Sequence, residues 1–204
     1  MRGQSSRRGA LRRIALALIH YPVLDRQGAT VTAAITNLDV HDIARSALTY
    51  GLCKFYLIHP IAAQRQLVER IKAHWIDGSG GRRIPDRVAP MRLVQVVPSL
   101  DDAVLHMSNE TAPLLWTTSA GGAIQEQCLS HHRAACLLQE PGPPVLLVFG
   151  TGWGLSQPIH QRATNRLLPI RAAHAENYNH LSVRAAAAIL LDRLLGDRVA
   201  STTE

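Results

Sequence analysis

The stretch VLLVFGTGWGLS (residues 145–156) runs an apolar segment straight into a loop with glycine at 150, 152 and 154. PGPP at 141–144 marks a turn, so VLLVFG reads as a strand and the glycines as the loop at its end. Nucleotide phosphate is the obvious occupant of such a loop, and the spacing argues against it. A dinucleotide fold needs GxGxxG after the first strand, and a P-loop needs a lysine; this is GxGxG, late in the chain and without lysine. Bare backbone of this kind lets main chain approach a flat ligand closely. A tight turn beside Trp153 is the plainer alternative.

Outward from this strand, apolar runs alternate with helical periods. IALALIH (14–20), KFYLIH (54–59), RLVQVV (92–97), LLWTTS (114–119), VLLVFG and NRLLPI (165–170) predict six strands. Between them, Asp39 reads as a helix N-cap with Asp42 three residues on, Val40, Ile43, Ala44, Ala47 and Leu48 on the apolar face and Gly51 as the stop. Pro60 opens a second helix with Leu67, Ile71 and Trp75 inward, and Ser99 caps a third. A helix is expected around 125–138 and a last one over 181–195. Residues 25–28 read as a turn, and GSGGRRIPDRVAP (78–90) as a loop. The alternation predicts an α/β domain with a mostly parallel sheet, whose ligands bind beyond the carboxyl ends of the strands.

The 204 residues, 47% of them hydrophobic, suffice for one such domain over 14–196, with a basic, disordered arm over 1–13 and a tail over 197–204. An organellar targeting segment is the other reading of the arm. No apolar run is long enough to span a membrane; AAAAILL is flanked by Arg184 and Asp192. Cys53, Cys128 and Cys136 are odd in number and lack metal spacing, which predicts no disulfide framework, no metal and a reducing, cytoplasmic setting. Much of the net charge of +7 sits on Arg2, Arg7, Arg8, Arg12 and Arg13, and the only lysines are Lys54 and Lys72. Arginine suits RNA phosphate and base stacking, but a GC-rich genome produces the same bias.

Four stretches fall where strands end or helices begin: TNLDVHDIARSA (36–47), TTSA (117–120), FGTGWGLS (149–156) and LPIRAAHAENYNHLSVRAAAA (168–188). In a parallel sheet the last three converge on one edge. Asn179 or Ser182 can cap the last helix, and Ala185, Ala186, Ala187 and Ala188 let it approach other backbone closely.

Taken together, these motifs resemble the SPOUT class of knotted RNA methyltransferases, and within it a bacterial subgroup related to the tRNA guanine-N1 methyltransferases. The resemblance covers about residues 14–196. It implies a six-stranded parallel sheet with helices on both faces, a C-terminal deep trefoil knot, a homodimer, and S-adenosyl-L-methionine (SAM) held in the knot loops at the dimer interface. Carried onto this chain, the cofactor loops comprise Thr117, Thr118, Ser119 and Ala120; Phe149, Gly150, Thr151, Gly152, Trp153, Gly154 and Leu155; Leu168, Pro169, Ile170 and Arg171; and Asn179, Leu181, Ser182 and Val183. Their backbone groups would read adenine. The substrate would be tRNA or rRNA, with Arg82, Arg83 and Arg87 on its phosphates.

Arg45 matches an arginine of the related ribose methyltransferases and, with His180, heads the catalytic candidates; Asp42, His41, His174 and Glu176 are further candidate bases. Arg171 and Arg184 are placed to hold a carboxylate or a phosphate. Related ribose enzymes carry a glutamate where Gly152 and Trp153 stand here, which leaves the acceptor atom open. A SAM- or RNA-binding module without catalysis is the competing reading.

Overall fold

The computed structural model describes residues 12–108, 111–121, 128–173 and 178–196. The first strand, β1 (Ile14–Ile19), alternates its side chains between two cores. Leu16 and Leu18 join one apolar cluster; Ala15, Ala17 and Ile19 join the other. A strand buried on both faces reads as a continuous apolar run, as this one does.

After β1 come a small hairpin, β2 (Val23–Leu24) and β3 (Thr30–Val31), helix α1 (Asn37–Thr49), β4 (Lys54–Ile58) and α2 (Ala62–Ile76). Then follow α3 (Ser79–Arg83), a 3-10 turn (Pro85–Arg87), α4 (Val88–Leu93), β5 (Val94–Val97), α5 (Leu100–Met107) and β6 (Leu114–Thr117). The last part holds β7 (Cys128–Leu129), α6 (His131–Gln139), β8 (Val145–Gly150), α7 (Gln157–Gln161), β9 (Asn165–Leu167) and α8 (Val183–Leu195). The main sheet runs β5-β4-β1-β8-β6-β9-β7, with all its pairings parallel. Residues of α1, α4, α6 and α8 pack in the cluster on one face, and those of α5 and α7 in the cluster on the other.

The main sheet has seven strands rather than six because Cys128–Leu129 pairs with β9. Two residues are too short to show a pattern in sequence. The helix expected around 125–138 begins at His131, where Ser130 accepts from the Arg133 amide; residues 122–127 lie outside the described residues. The 78–90 segment is not a loop but two short helices and a turn, and β5 starts only at Val94. Its glycines are there for contact: a Cβ on Gly80 would lie 2.7 Å from the His74 ring, and one on Gly81 would strike the Trp75 carbonyl. In α2, Val68 is buried and Leu67 is exposed.

α1 is capped by Thr36 rather than Asp39. The Thr36 hydroxyl accepts from the Asp39 amide at 3.1 Å and donates to the Asp39 carboxylate at 2.6 Å, so Asp39 is the third helical residue. Of the basic arm, Arg12 donates to the carbonyls of Glu140 and Pro141, and the Arg13 carbonyl accepts from the Val145 amide. Residues 1–11 and 197–204 lie outside the described residues.

Candidate functional site

The carboxyl ends of β6 and β8 open into a cavity of about 890 Å³, within the size range of small-molecule sites. One wall is Thr118, Ser119, Ala120 and Gly121, just past β6. The Thr118 hydroxyl donates to the Val148 carbonyl, and Ser119 and Gly121 exchange hydrogen bonds that tighten the turn. A second wall is Phe149, Gly150, Thr151, Gly152, Trp153 and Gly154. Ile170, Asn179, His180, Leu181, Ser182 and Val183 bring in the chain between β9 and α8.

The hairpin explains the glycine loop. Leu24 donates its amide to the Gly154 carbonyl and accepts from the Trp153 amide, both at 2.9 Å. Gly152 has φ +59°, and a Cβ there would lie 2.8 Å from the Leu24 carbonyl oxygen. Only glycine lets the loop lie against the hairpin in this conformation. The Thr151 amide donates to the Ile19 carbonyl and the Gly154 amide to the Thr151 carbonyl. The Thr151, Trp153 and Gly154 amides are thus engaged inside the protein, while residues 150–154 still line the cavity.

Asn179 clasps two walls: its side-chain amide donates to the Ala120 carbonyl at 3.1 Å and to the Ile170 carbonyl at 2.7 Å. α8 starts beneath it, capped by Ser182, whose hydroxyl accepts from the Ala185 amide. Ala186 lines the cavity while Ala187 sits in the core, so the alanine run serves both sides of the helix.

Several expected residues lie elsewhere. Leu155 is buried and bridges to Val23. Leu168 is committed on both backbone groups, to the Leu129 carbonyl and the His131 ring. Thr117 is buried, its hydroxyl 3.1 Å from His160 Nδ1. Pro169 and the exposed Arg171 do not line the cavity. Arg184 pairs with Asp39 at 3.0 Å and Asp42 at 3.5 Å instead of waiting for an anion. Arg45 is exposed on α1 and does not line the cavity. His41 is buried edge-on to Trp75 at 5.1 Å, and burial, then the Arg87 charge, hold its pKa below the ordinary value. The Arg45 charge, four residues along α1 from His41, adds to that effect. Arg82 and Arg83 are exposed, and the Arg87 guanidinium lies 5.9 Å from the centre of the Trp75 ring. His174 and Glu176 lie outside the described residues.

Ala33, Ala34, Thr36, Asp39, Gly121 and Leu190 complete the lining without having been singled out as cofactor contacts. Two alanines after a hairpin carry no sequence signal. Their position comes from the ends of β1 and β4: the Ala33 amide donates to the His20 carbonyl, and the His59 ring donates to the Ala33 carbonyl at 3.2 Å. The His59 Nδ1 accepts from the Ile61 amide, which fixes that tautomer. His20 and His59 lie 6.0 Å apart; burial pushes the His20 pKa down to about 4 and lowers that of His59.

Among the lining residues only Asp39 and His180 are ionisable, and Asp39 is held by Arg184 and Thr36. Among the described residues, no three His, Cys, Asp or Glu side chains are grouped to hold a metal, and no helix is long and apolar enough to cross a membrane.

The sequence profile of a family described as SAM-dependent RNA methyltransferase matches residues 13–196. The chain is 42% identical over 188 residues to a protein named tRNA (guanine-N(1)-)-methyltransferase from Oleidesulfovibrio alaskensis, a match covering 91% of this chain and 43% of that one. The chain thus spans less than half the length of that relative. An uncharacterized protein of Aquifex aeolicus is 34% identical over 183 residues, covering 89% of this chain and 87% of that one. Among solved structures, the SpoU methyltransferase AviRb from Streptomyces viridochromogenes, in complex with the cofactor AdoMet, is similar in fold at a TM-score of 0.54 and 17% identity, over 98% of this chain and 64% of that one.

Proposed function

The chain belongs to the SAM-dependent RNA methyltransferase family, and on that premise we propose that its cavity holds SAM and that it methylates a nucleotide of tRNA or rRNA. The observation that carries this reading is the convergence of three separate chain segments, 118–121, 149–154 and 179–183, on one cavity at the strands' carboxyl ends. Its volume and its lining of small and apolar residues (Ala33, Ala34, Gly150, Phe149, Ile170, Leu190) fit a flat adenosine with a short aliphatic arm. AviRb, of similar fold, is a SpoU methyltransferase solved with AdoMet, and the relative's printed name favours tRNA.

Bound SAM supplies an electrophilic methyl group on a sulfonium. The chain's own part is to orient the acceptor and to manage its proton. His180 is assigned the proton, because Asp39, the other ionisable group of the lining, is already paired. Arg82, Arg83 and Arg87, together with Arg45 exposed on α1, are assigned to RNA phosphates. The resemblance to knotted methyltransferases brings two further elements into the proposal: a trefoil path for the chain leading into α8, and a homodimer. The unit is a single domain over 14–196.

Calorimetry with SAM, then transfer of labelled methyl from SAM to unmodified RNA, tests this function. Binding with incorporation is expected. The absence of binding at millimolar SAM overturns the proposal, and binding without incorporation into any RNA makes the chain a non-catalytic SAM-binding module.

A further inference from the structure

Three rings from two loops stand together at the rim of the cavity. Trp153 meets His180 edge-on, with centroids 5.9 Å apart and planes at 76°. Tyr178 also lies against His180, with centroids 5.2 Å apart and planes inclined at 58°. Trp153 is 56% exposed and Tyr178 73%, the two most exposed aromatic residues among those described. The chain is only 4% aromatic, and Phe55, Tyr56, Trp116 and Phe149 are buried in the core. Exposing large rings costs apolar hydration, so their grouping at one mouth calls for an occupant.

Both loops are held from behind. Trp153 donates its amide to the Leu24 carbonyl, and Asn179, between Tyr178 and His180, is tied to Ala120 and Ile170. The rings are therefore presented on anchored backbone and need little ordering on binding. Their planes are mutually inclined, which makes a notch rather than a flat pad. A protein partner would need about 800 Å² of complementary surface per side. The rim offers these rings and Leu181, bordered by Ser182. A single flat, polar-edged ring fits a notch of that size.

We infer that Trp153, Tyr178 and His180 form a stacking platform for one unpaired base of the RNA substrate, at the mouth of the cavity. The inference rests on the reading of the cavity as the SAM site. Unstacked bases are gripped by Trp, Tyr and His faces, each stack contributing about 1–3 kcal/mol by alanine substitution. A base stacked here points its in-plane edge along the rim, beside the cavity lined by Trp153 and His180. The substrate class is thus RNA with a base splayed from its helix, in a loop, bulge or end.

The test measures, on the full chain, the affinity for a short labelled single-stranded RNA and for an abasic oligonucleotide of equal length, with SAM calorimetry and sedimentation alongside. Tyr178→Ala and Trp153→Leu should each weaken RNA binding about 5- to 150-fold, while Tyr178→Phe and Trp153→Phe stay near wild type. Binding of the abasic oligonucleotide should not change, and Tyr178→Ala should keep its SAM affinity. Unchanged RNA affinity in Tyr178→Ala and Trp153→Leu overturns the platform. So does a dimer that dissociates on Tyr178→Ala, since the rings would then belong to a contact between copies. Wild-type protein that stacks RNA through these rings but binds no SAM would support the platform and overturn the cofactor reading alone.

Discussion

Arg184, in the first turn of the last helix, donates to the carboxylate of Asp39 in the first turn of α1 at 3.0 Å, across 145 residues of sequence. Asp39 is buried, and its other oxygen accepts from Thr36. The pair fixes the helix that closes the cavity against the helix that follows Ala33 and Ala34.

Removing the cation leaves a buried carboxylate with one neutral donor. Arg184→Ala should cost about 2 kcal/mol and lower the thermal midpoint by about 4–8 °C. Scanning calorimetry checks this, and SAM affinity should fall with it because Asp39 lines the cavity.

Gly152 and Gly51 both have positive φ, +59° and +72°, but only Gly152 has backbone within reach of an added Cβ. Gly51→Ala should cost about 1 kcal/mol of backbone strain, and Gly152→Ala more, about 2–3 kcal/mol, because the Leu24 carbonyl must also move. Urea titrations of the two variants give the comparison; equal costs would mean the hairpin yields without penalty.

Asn179 presents two N–H groups to two carbonyls on different walls. Asn179→Ala should raise the SAM dissociation constant about tenfold with little change in global unfolding. Asn179→Asp should be worse, since a carboxylate would then face two carbonyl oxygens. Calorimetric titration of both variants decides the order.

His20 has no exposed surface, and burial lowers its pKa from 6.5 to about 4. The unfolded chain therefore binds the extra proton between these values. Stability is fully present above pH 6.5 and is lost as pH falls towards 4, by about 3 kcal/mol from this group. The buried His41 and His59 and the half-buried His160 act in the same direction. Denaturation midpoints across this range should show the slope, and His20→Gln should flatten part of it.

Arg82 and Arg83 are exposed at the end of α3. The double change to Gln should reduce the slope of log affinity for RNA against log salt by about 1.5, from roughly 0.7–0.9 per phosphate contact. Filter binding at several salt concentrations measures it, and SAM affinity should stay constant.

Much of the sheet is readable from the chain because a strand buried on both faces must be apolar throughout, as in IALALI, KFYLI and VLLVFG. The cavity loops are also readable, because small and polar residues follow those runs at predictable ends. Three features are not local. The 78–90 segment folds into helices only because Gly80 and Gly81 back onto His74 and Trp75. Ala33 and Ala34 reach the cavity because His20 and His59 bond to Ala33. The glycines of GTGWG serve the hairpin at Leu24 as well as the cavity, a contact between residues about 130 positions apart.

By itself, then, the sequence determined the alternation of strands and helices, the parallel sheet and the edge on which ligand loops gather, since period and apolar run length are properties of neighbouring residues. Only the tertiary structure decided which polar groups remain available there. Asp39, Arg184, Leu168, the Thr151 and Trp153 amides and the Gly154 carbonyl are consumed by partners far along the chain, while His180, Trp153 and Tyr178 stand on anchored backbone with their rings together at the rim. Hydrogen-bonding capacity is finite, and which groups spend theirs internally is settled by three-dimensional neighbours that no local spacing records.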